Sequence, residues 1–167
     1  MEKLYYCFKN YSVIQINDSN INEVFELCKH NNKYYAHLQE SATFEGIKSI
    51  VCELPPNTTL NNKYFVGFYK DNKLVAILDL IDGYPDKNIA FIGLFMVDIN
   101  IQGLGVGKNI ISDLLNFLKS KKYISCDLVV IETNVDAISF WTKLGFEITG
   151  KIYNHEKYNL VMMSCKL

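Results

Sequence analysis

The sequence contains no arginine: all seventeen cationic side chains among its 167 residues are lysines. A bound anion therefore has to be held by backbone N–H groups and lysine ammonium groups, because bidentate guanidinium forks are absent. Eighteen acidic residues balance the lysines and leave a net charge of −1. This balance argues against nonspecific nucleic-acid binding, which needs a basic surface that displaces counterions from phosphates.

Paired cysteines, a long apolar run and a signal sequence are also missing. The five cysteines are odd in number and include no Cys-x-x-Cys pair, so we predict neither a disulfide framework nor a zinc cage. The longest apolar stretch, 89–97, is far shorter than the roughly 20 residues of a membrane helix. Residues 1–10 lack the apolar core of a signal peptide. We therefore expect a cytoplasmic protein with reduced thiols and no membrane partner.

What is present indicates a globular α/β protein. The chain is 49% hydrophobic and 21% charged, values typical of a folded domain, and we expect residues 1–167 to form a single one. Hydrophobic periodicity predicts the order strand, two helices, three strands, helix, strand, helix, two strands. The predicted strands are 12–16, 64–70, 73–81, 89–97, 127–132, 146–153 and 157–166. The predicted helices are 20–30, 41–54, one after Gly107, and one between Asn134 and Gly145. Asp18 or Ser19 is predicted to cap the first helix.

The segment 91–107 carries the strongest chemical signal. A strand runs into a loop that contains Gly103, Gly105 and Gly107, and an amphipathic helix follows at once. Glycines let successive backbone N–H groups converge on an anion, and a helix N-terminus adds its positive dipole end. The pattern predicts a phosphate cradle that needs no arginine. The alternative is a tight strand-to-helix connection without a ligand.

Spacing separates the kinds of phosphate site. A P-loop fails because the glycine-to-lysine spacing is one residue short and Asn109 replaces the hydroxyl residue. A dinucleotide fingerprint that starts at Gly103 would need glycine where Lys108 stands. Glu132 does follow the next strand, where a ribose-binding acid is expected. A nucleotide-dependent oxidoreductase therefore stays open as an alternative.

Two motifs resemble the GCN5-related N-acetyltransferase (GNAT) family. Gln102-x-x-Gly105-x-Gly107 resembles its acyl-CoA pyrophosphate motif, and the segment 134–146 resembles its Asn-x-x-Ala-x-x-Phe-Tyr-x-Lys-Leu-Gly-Phe segment. The resemblance implies a mixed, mostly antiparallel sheet of about seven strands with about four helices. It also implies acetyl transfer from acetyl-CoA to a primary amine by direct attack, without a metal.

The resemblance further implies where acetyl-CoA lies. Its pantetheine arm would occupy a V-shaped opening between the strands that end near Val97 and Thr133, and its pyrophosphate would meet the glycine loop. The implied cofactor-binding residues are Phe95, Met96, Val97, Gln102, Gly103, Leu104, Gly105, Val106, Gly107, Lys108, Asn134, Ala137, Phe140 and Trp141.

No motif marks the catalytic groups, because the sequence departs from the family pattern at these positions. Trp141 replaces the tyrosine often proposed to protonate the leaving thiolate, and an indole N–H cannot act as that acid. We interpret Trp141 as core packing. The strand 89–97 holds no acid or histidine that could act as a base. Asp79 and Tyr84 are the catalytic candidates, with His37 and Glu40 as further ones.

The acceptor is a small-molecule amine or a peptide, and its site is expected in residues 30–60 and the loops 82–88 and 153–157. The aromatic character of this area comes from Tyr34, Tyr35, Tyr84 and Tyr153 together with His37. An alternative function is a non-catalytic acyl-CoA-binding module, suggested by Trp141 and the missing base. A homodimer is also expected, through addition of the apolar strand 158–166 to a neighbour's sheet.

Overall fold

The computed structural model describes residues 4–167 and shows in them a seven-stranded sheet with five α-helices. The strands are β1 (Ser12–Gln15), β2 (Lys63–Lys70), β3 (Lys73–Asp82), β4 (Ile89–Val97), β5 (Ser125–Ile131), β6 (Glu147–Asn154) and β7 (Asn159–Lys166). The helices are α1 (Ile21–His30), α2 (Asn32–Leu38), α3 (Phe44–Ile50), α4 (Val106–Ser120) and α5 (Val135–Lys143). The predicted mixed α/β fold is confirmed.

The sheet order is β1-β2-β3-β4-β5-β7-β6, and every neighbouring pair is antiparallel except β4 with β5. Strands β2, β3 and β4 follow one another along the chain and form an antiparallel meander. Asp71 and Asn72 connect β2 to β3 with φ angles of 51° and 60°, the left-handed conformation that a two-residue hairpin turn requires. The chain then crosses from β4 through α4 to the parallel strand β5.

The sheet is covered on both faces. Helix α4 buries Ile110, Ile111, Leu114 and Leu118 against one face, and each such side chain stabilises the fold by about 1.5–3 kcal/mol. Helices α1 and α3 cover the other face through a separate apolar cluster that includes Ile47. Strand β4 therefore lies in the middle of the molecule, with helices above and below it.

Residues 20–54 hold three helices rather than the two predicted. Helix α1 ends at Asn31, whose buried Nδ2 donates a hydrogen bond of 2.8 Å to the Leu27 carbonyl. Because this bond satisfies a carbonyl of the last turn, the chain can start a new helix, α2, directly afterwards. The predicted helix 41–54 is shorter, as α3, and Thr43 caps it by accepting from Gly46 N–H.

The predicted cap of α1 is wrong. The capping position is Asn20, not Asp18 or Ser19, and its side chain makes no capping bond. Asn20 instead accepts from the Asn17 N–H at 2.8 Å and donates to the Gln15 carbonyl. The polar side chains of this turn therefore stabilise the turn that joins β1 to α1.

The predicted route to a dimer does not fit the sheet order. Strand β7 lies between β5 and β6, so both of its edges are already paired and it cannot add to a neighbour's sheet. The edge strand at this end is β6, which is exposed along its whole length. The homodimer itself stays a prediction.

The thiols of Cys28, Cys126 and Cys165 are buried, whereas Cys52 is exposed, and no cysteine in the described chain is in a disulfide. No helix within residues 4–167 is long and apolar enough to cross a membrane. The same residues contain no cluster of three or more metal-ligating side chains.

Candidate active site

Strands β4 and β5 separate halfway along their length. They pair only from Ile89 with Ser125 to Ile92 with Leu128, although β4 continues to Val97 and β5 to Ile131. Beyond this point the β5-facing edge of β4 has no strand partner. The backbone amides of the last β4 residues are therefore open to an extended ligand between the two strands.

A cavity of about 310 Å³, called here the donor cavity, lies at this opening. Ten of the residues implied by the resemblance line it: Phe95, Met96, Val97, Gln102, Gly103, Gly107, Asn134, Ala137, Phe140 and Trp141. Leu104, Gly105, Val106 and Lys108 belong to the same loop and helix start but do not line the cavity. The lining also includes four residues that the sequence did not predict there, Asn31, Lys33, Ile99 and Asp136, together with Tyr34 and His37, which were expected at the acceptor site.

The glycine loop has the geometry of an anion cradle. Gly103 and Gly105 have φ angles of 79° and 85°, and no atom lies within 4 Å of the position that a Cβ would occupy. Gly105 caps α4 without a side chain. No hydrogen bond within residues 4–167 uses the N–H groups of Gly103, Gly105, Val106, Gly107 or Lys108. These N–H groups can therefore donate hydrogen bonds to a phosphate, and the helix dipole favours its negative charge.

The Gln102 side chain fixes the loop to the rest of the molecule. Its Nε2 donates to Asn31 Oδ1 at 2.7 Å and to the Val97 carbonyl at 3.0 Å. The amide thereby joins the end of β4 to the junction of α1 and α2. Nothing in the local sequence indicates this contact, because Asn31 lies 71 residues earlier in the chain.

Aromatic rings form the far wall of the donor cavity. Phe140 stacks over Phe95 with ring centroids 6.2 Å apart, and Trp141 packs edge-on against Phe140 and Phe146 at 5.0 Å. Trp141 is only 7% exposed, so its interpretation as core packing is confirmed. A Cβ on Gly107 would lie 3.2 Å from Phe140 Cζ, which explains why glycine starts this helix turn.

Helix α2 crosses the opening and reaches its far side. His37 Nδ1 forms a hydrogen bond of 2.9 Å with Thr133 Oγ1, beyond the end of β5. Gln39 Nε2 donates to the Lys157 carbonyl at 2.6 Å, and the Lys157 ammonium pairs with Glu40 at 2.8 Å. Helix α2, which the sequence does not predict, therefore closes one side of the site.

A second cavity of about 750 Å³, called here the acceptor cavity, shares Tyr34 with the donor cavity. It follows β4 backwards through Leu94, Gly93 and Phe91. Its other lining residues are Tyr35, Leu38, Glu40, Ser41, Thr43, Gly46, Ile47, Ile50, Glu53, Leu54, Pro55, Asp79, Ile81, His155 and Tyr158. Burial raises the pKa of Tyr34 to about 12, so its hydroxyl stays protonated.

The structure separates the two catalytic candidates. Asp79 is buried on the floor of the acceptor cavity, where it forms an ion pair of 2.7 Å with Lys63. Tyr84 packs edge-on against Phe91 and lines neither cavity. Of the other aromatic residues expected at the acceptor site, Tyr35 is there, whereas Tyr153 lies half-exposed on β6 and lines neither cavity.

Comparison with known proteins identifies the class. The acetyltransferase (GNAT) family matches residues 23–146, and the chain belongs to this family. The resemblance of the two motifs to this family is thereby confirmed. Membership of this family does not support the alternative of a nucleotide-dependent oxidoreductase. Glu132, the residue that suggested this alternative, accepts a hydrogen bond from Asn159 Nδ2.

Particular relatives share part of the sequence. The chain is 31% identical over 103 residues to the spermine/spermidine N(1)-acetyltransferase of Bacillus subtilis (strain 168) and, equally, to a probable spermine N(1)-acetyltransferase of Bacillus subtilis subsp. natto (strain BEST195). The match spans 55% of this chain and 65% of each relative.

Solved structures share the fold. The acetyltransferase from Thermus thermophilus superposes with a TM-score of 0.75 at 17% identity, covering 96% of this chain and 99% of that one. The PaiA N-acetyltransferase from Thermoplasma acidophilum, solved in complex with coenzyme A, superposes with a TM-score of 0.66 at 18% identity, covering 94% and 99%.

Proposed function

We propose that residues 1–167 form a single acetyltransferase domain that transfers an acetyl group from acetyl-CoA to a primary amine. The observation that carries this proposal is the separation of β4 from β5 beside an open glycine loop. Two cavities meet there, one at the loop and one behind it, and they share Tyr34. A donor and an acceptor bound in the two cavities would approach each other along β4.

The residues at the donor cavity fit acetyl-CoA. Unused N–H groups at the start of α4 would hold its pyrophosphate, and the free edge of β4 at 95–97 would pair with its pantetheine arm. Phe140 and Asn134 would contact that arm from the other side. Bound acetyl-CoA supplies a thioester carbonyl as the electrophile.

The chain's own groups then have two tasks. The two cavities hold amine and thioester in a reactive orientation, which lowers the entropy cost of bringing them together in the chemical step. A backbone N–H near Val97 stabilises the oxyanion of the tetrahedral intermediate. Trp141 offers only a weakly acidic N–H inside the aromatic wall, so the departing thiolate receives its proton from another group or leaves as the anion.

A polyamine is the acceptor class we propose to test first. The acceptor cavity contains the carboxylates Glu40, Glu53 and Asp79, and the aromatic side chains Tyr34 and Tyr35. Carboxylates and aromatic faces both attract ammonium groups. Two relatives are named for spermine acetylation, which agrees with this chemistry.

The second candidate is a non-catalytic acyl-CoA-binding module. Trp141, which stands where the family often has a tyrosine, favours it. This candidate predicts acetyl-CoA binding without CoA release for any amine.

The test begins with the fluorescence of Trp141, the only tryptophan, which lines the donor cavity. We expect acetyl-CoA, but not NAD or ATP, to change its emission saturably. Acetyl-CoA at about one hundred times its Kd should raise stability by about 2.7 kcal/mol, a Tm shift of about 5–10 °C. A shift with a dinucleotide alone would contradict the proposal.

Thiol release then separates the two candidates. CoA release is measured with spermine, spermidine, putrescine, benzylamine and a short peptide as acceptors. Turnover with any of them removes the binding-module candidate. Saturable acetyl-CoA binding with no turnover across the panel would overturn the enzyme proposal.

A further inference from the structure

Strand β4 has a bulge at Gly93, beside the junction of the two cavities. Asp79 pairs with Leu94 and Leu80 pairs with Ile92, so Gly93 has no Cα partner on β3. Leu94 is the last β4 residue to line the acceptor cavity, and Phe95 is the first to line the donor cavity. Asp79 therefore lies directly opposite the point where donor and acceptor would meet.

Gly93 also leaves the space that the Asp79 carboxylate occupies. A Cβ at position 93 would lie 2.8 Å from Asp79 Oδ2, closer than a carbon and an oxygen approach without a bond. Any other residue at 93 would displace this carboxylate. The glycine and the bulge together let a side chain of β3 reach the cavity floor across β4.

The carboxylate is held on one side only. Lys63 Nζ, itself buried, donates to Asp79 Oδ2 at 2.7 Å. Oδ1 is shielded from solvent and has no hydrogen-bond partner within the described residues. A buried carboxylate oxygen without a donor is unfavourable, so uptake of a proton would lower the cost of burying this carboxylate, which lines the acceptor cavity.

We propose that Asp79 is the general base of the transfer, an inference that rests on the proposed function. It accepts one proton from the ammonium form of the acceptor and later releases it to solvent. The neutral nitrogen then attacks the thioester carbon and forms the C–N bond of the tetrahedral intermediate, and the C–S bond breaks when this intermediate collapses. The second proton on that nitrogen passes to the thiolate, giving amide and CoA thiol.

The surroundings of Asp79 suit a base. Burial raises its pKa, the Lys63 ammonium opposes that rise, and the negative charge of Glu53 adds to it. The other titratable groups around the cavity are Tyr34 and Tyr35 from α2, Glu40 after α2, and His155 and Tyr158 between β6 and β7. A carboxylate with a raised pKa is a stronger proton acceptor than one in water.

The first experiment compares wild type with D79N. We expect kcat to fall at least 100-fold, the scale of general-base catalysis. We also expect the acid limb, the fall of kcat/KM as the pH is lowered, to disappear. The Kd of acetyl-CoA, from Trp141 fluorescence, should stay within about twofold, which also shows that the variant is folded. Unchanged kcat and an unchanged acid limb would overturn the inference.

Two further variants move the acid limb in opposite directions. K63M removes the charge that lowers the pKa of Asp79, so the limb should shift to higher pH. E53Q removes the charge that raises this pKa, so the limb should shift to lower pH. A purely structural ion pair predicts the same limb in both variants. Glu53 lies outside the ion pair, so E53Q remains informative even if K63M folds poorly.

The outcomes separate this inference from the function on which it rests. A wild-type protein that turns over no amine of the panel overturns both. Turnover by wild type with the pH profile kept in D79N and E53Q overturns the role of Asp79 alone, and another group must then take the proton.

Discussion

The donor and acceptor cavities are built in different ways. The donor cavity takes most of its lining from two continuous segments, 95–107 and 134–141, and the glycine loop beside it offers backbone N–H groups. The acceptor cavity takes its lining from residues between 34 and 158, and its chemistry lies in side chains. Backbone recognition needs a fixed spacing of small residues, so it leaves a motif in the sequence. Side-chain recognition from distant elements leaves none.

Their electrostatics differ in the same way. The glycine loop presents N–H dipoles and a helix N-terminus, which favour an anion. The acceptor cavity presents three carboxylates, of which Asp79 is buried against Lys63 and Glu40 pairs with Lys157 at the rim. The junction at β4 therefore lies between a region suited to phosphate and a region suited to ammonium.

The largest expected effect concerns the floor of the acceptor cavity. K63M leaves Asp79 buried without its cation, and we expect the free energy of unfolding to fall by about 3–5 kcal/mol. Urea denaturation measures this change. The matched control is K157M, because the Lys157–Glu40 pair is about half exposed and should cost less than about 1 kcal/mol. Equal losses of unfolding free energy in K63M and K157M would show that the buried ion pair stabilises the fold no more than the exposed one.

The next effect concerns the glycine loop. Gly105 and Gly150 both have φ of 85° with no atom within 4 Å of the position that a Cβ would take, so G105A and G150A carry similar backbone strain, about 1–2 kcal/mol. Only G105A places a methyl group in the cradle. We expect it to weaken acetyl-CoA binding at least about tenfold, or 1.4 kcal/mol, and G150A to leave it unchanged. Equal Kd values by Trp141 fluorescence would contradict the pyrophosphate assignment.

A smaller effect tests how α2 closes the opening. T133V removes the hydroxyl that hydrogen-bonds with His37, and one such bond contributes about 1 kcal/mol. We expect amide hydrogen exchange in α2 to become about fivefold faster, while α4 keeps its rate as an internal reference. Uniform acceleration in both helices would indicate a general loss of stability instead.

The smallest effect concerns the rim. E40Q removes an exposed carboxylate from the acceptor cavity, and exposed charges contribute about 0.2–1 kcal/mol. We therefore expect the KM for spermine to rise by no more than about fivefold at low salt, with the Kd of acetyl-CoA unchanged. The difference should vanish in about 1 M salt, where the Debye length is about 3 Å. A difference that persists there would point to a direct hydrogen bond.

Local sequence signals suffice to predict strands β2 to β4, helix α4 and the donor loop. These signals are alternating apolar residues, the Asp71-Asn72 turn, and glycines placed between a strand and a helix. The same locality explains why the sequence is enough to interpret Trp141, since it lies in the apolar stripe of a short helix close to Phe140 and Phe146.

The acceptor half, in contrast, depends on long-range packing. Helix α2 escapes prediction because its signal is short and its stabilising contacts, such as His37 with Thr133, join residues 96 positions apart. The expectation that the strand 158–166 adds to a neighbour's sheet is wrong, because the order in which strands pair depends on where distant segments meet. In the sequence alone, Asp79 is one catalytic candidate among several. Its position on the floor of the acceptor cavity depends on the bulge, on the space left by Gly93 and on the ion pair with Lys63. Contacts over such separations depend on the packing of the whole sheet, and no local spacing encodes them.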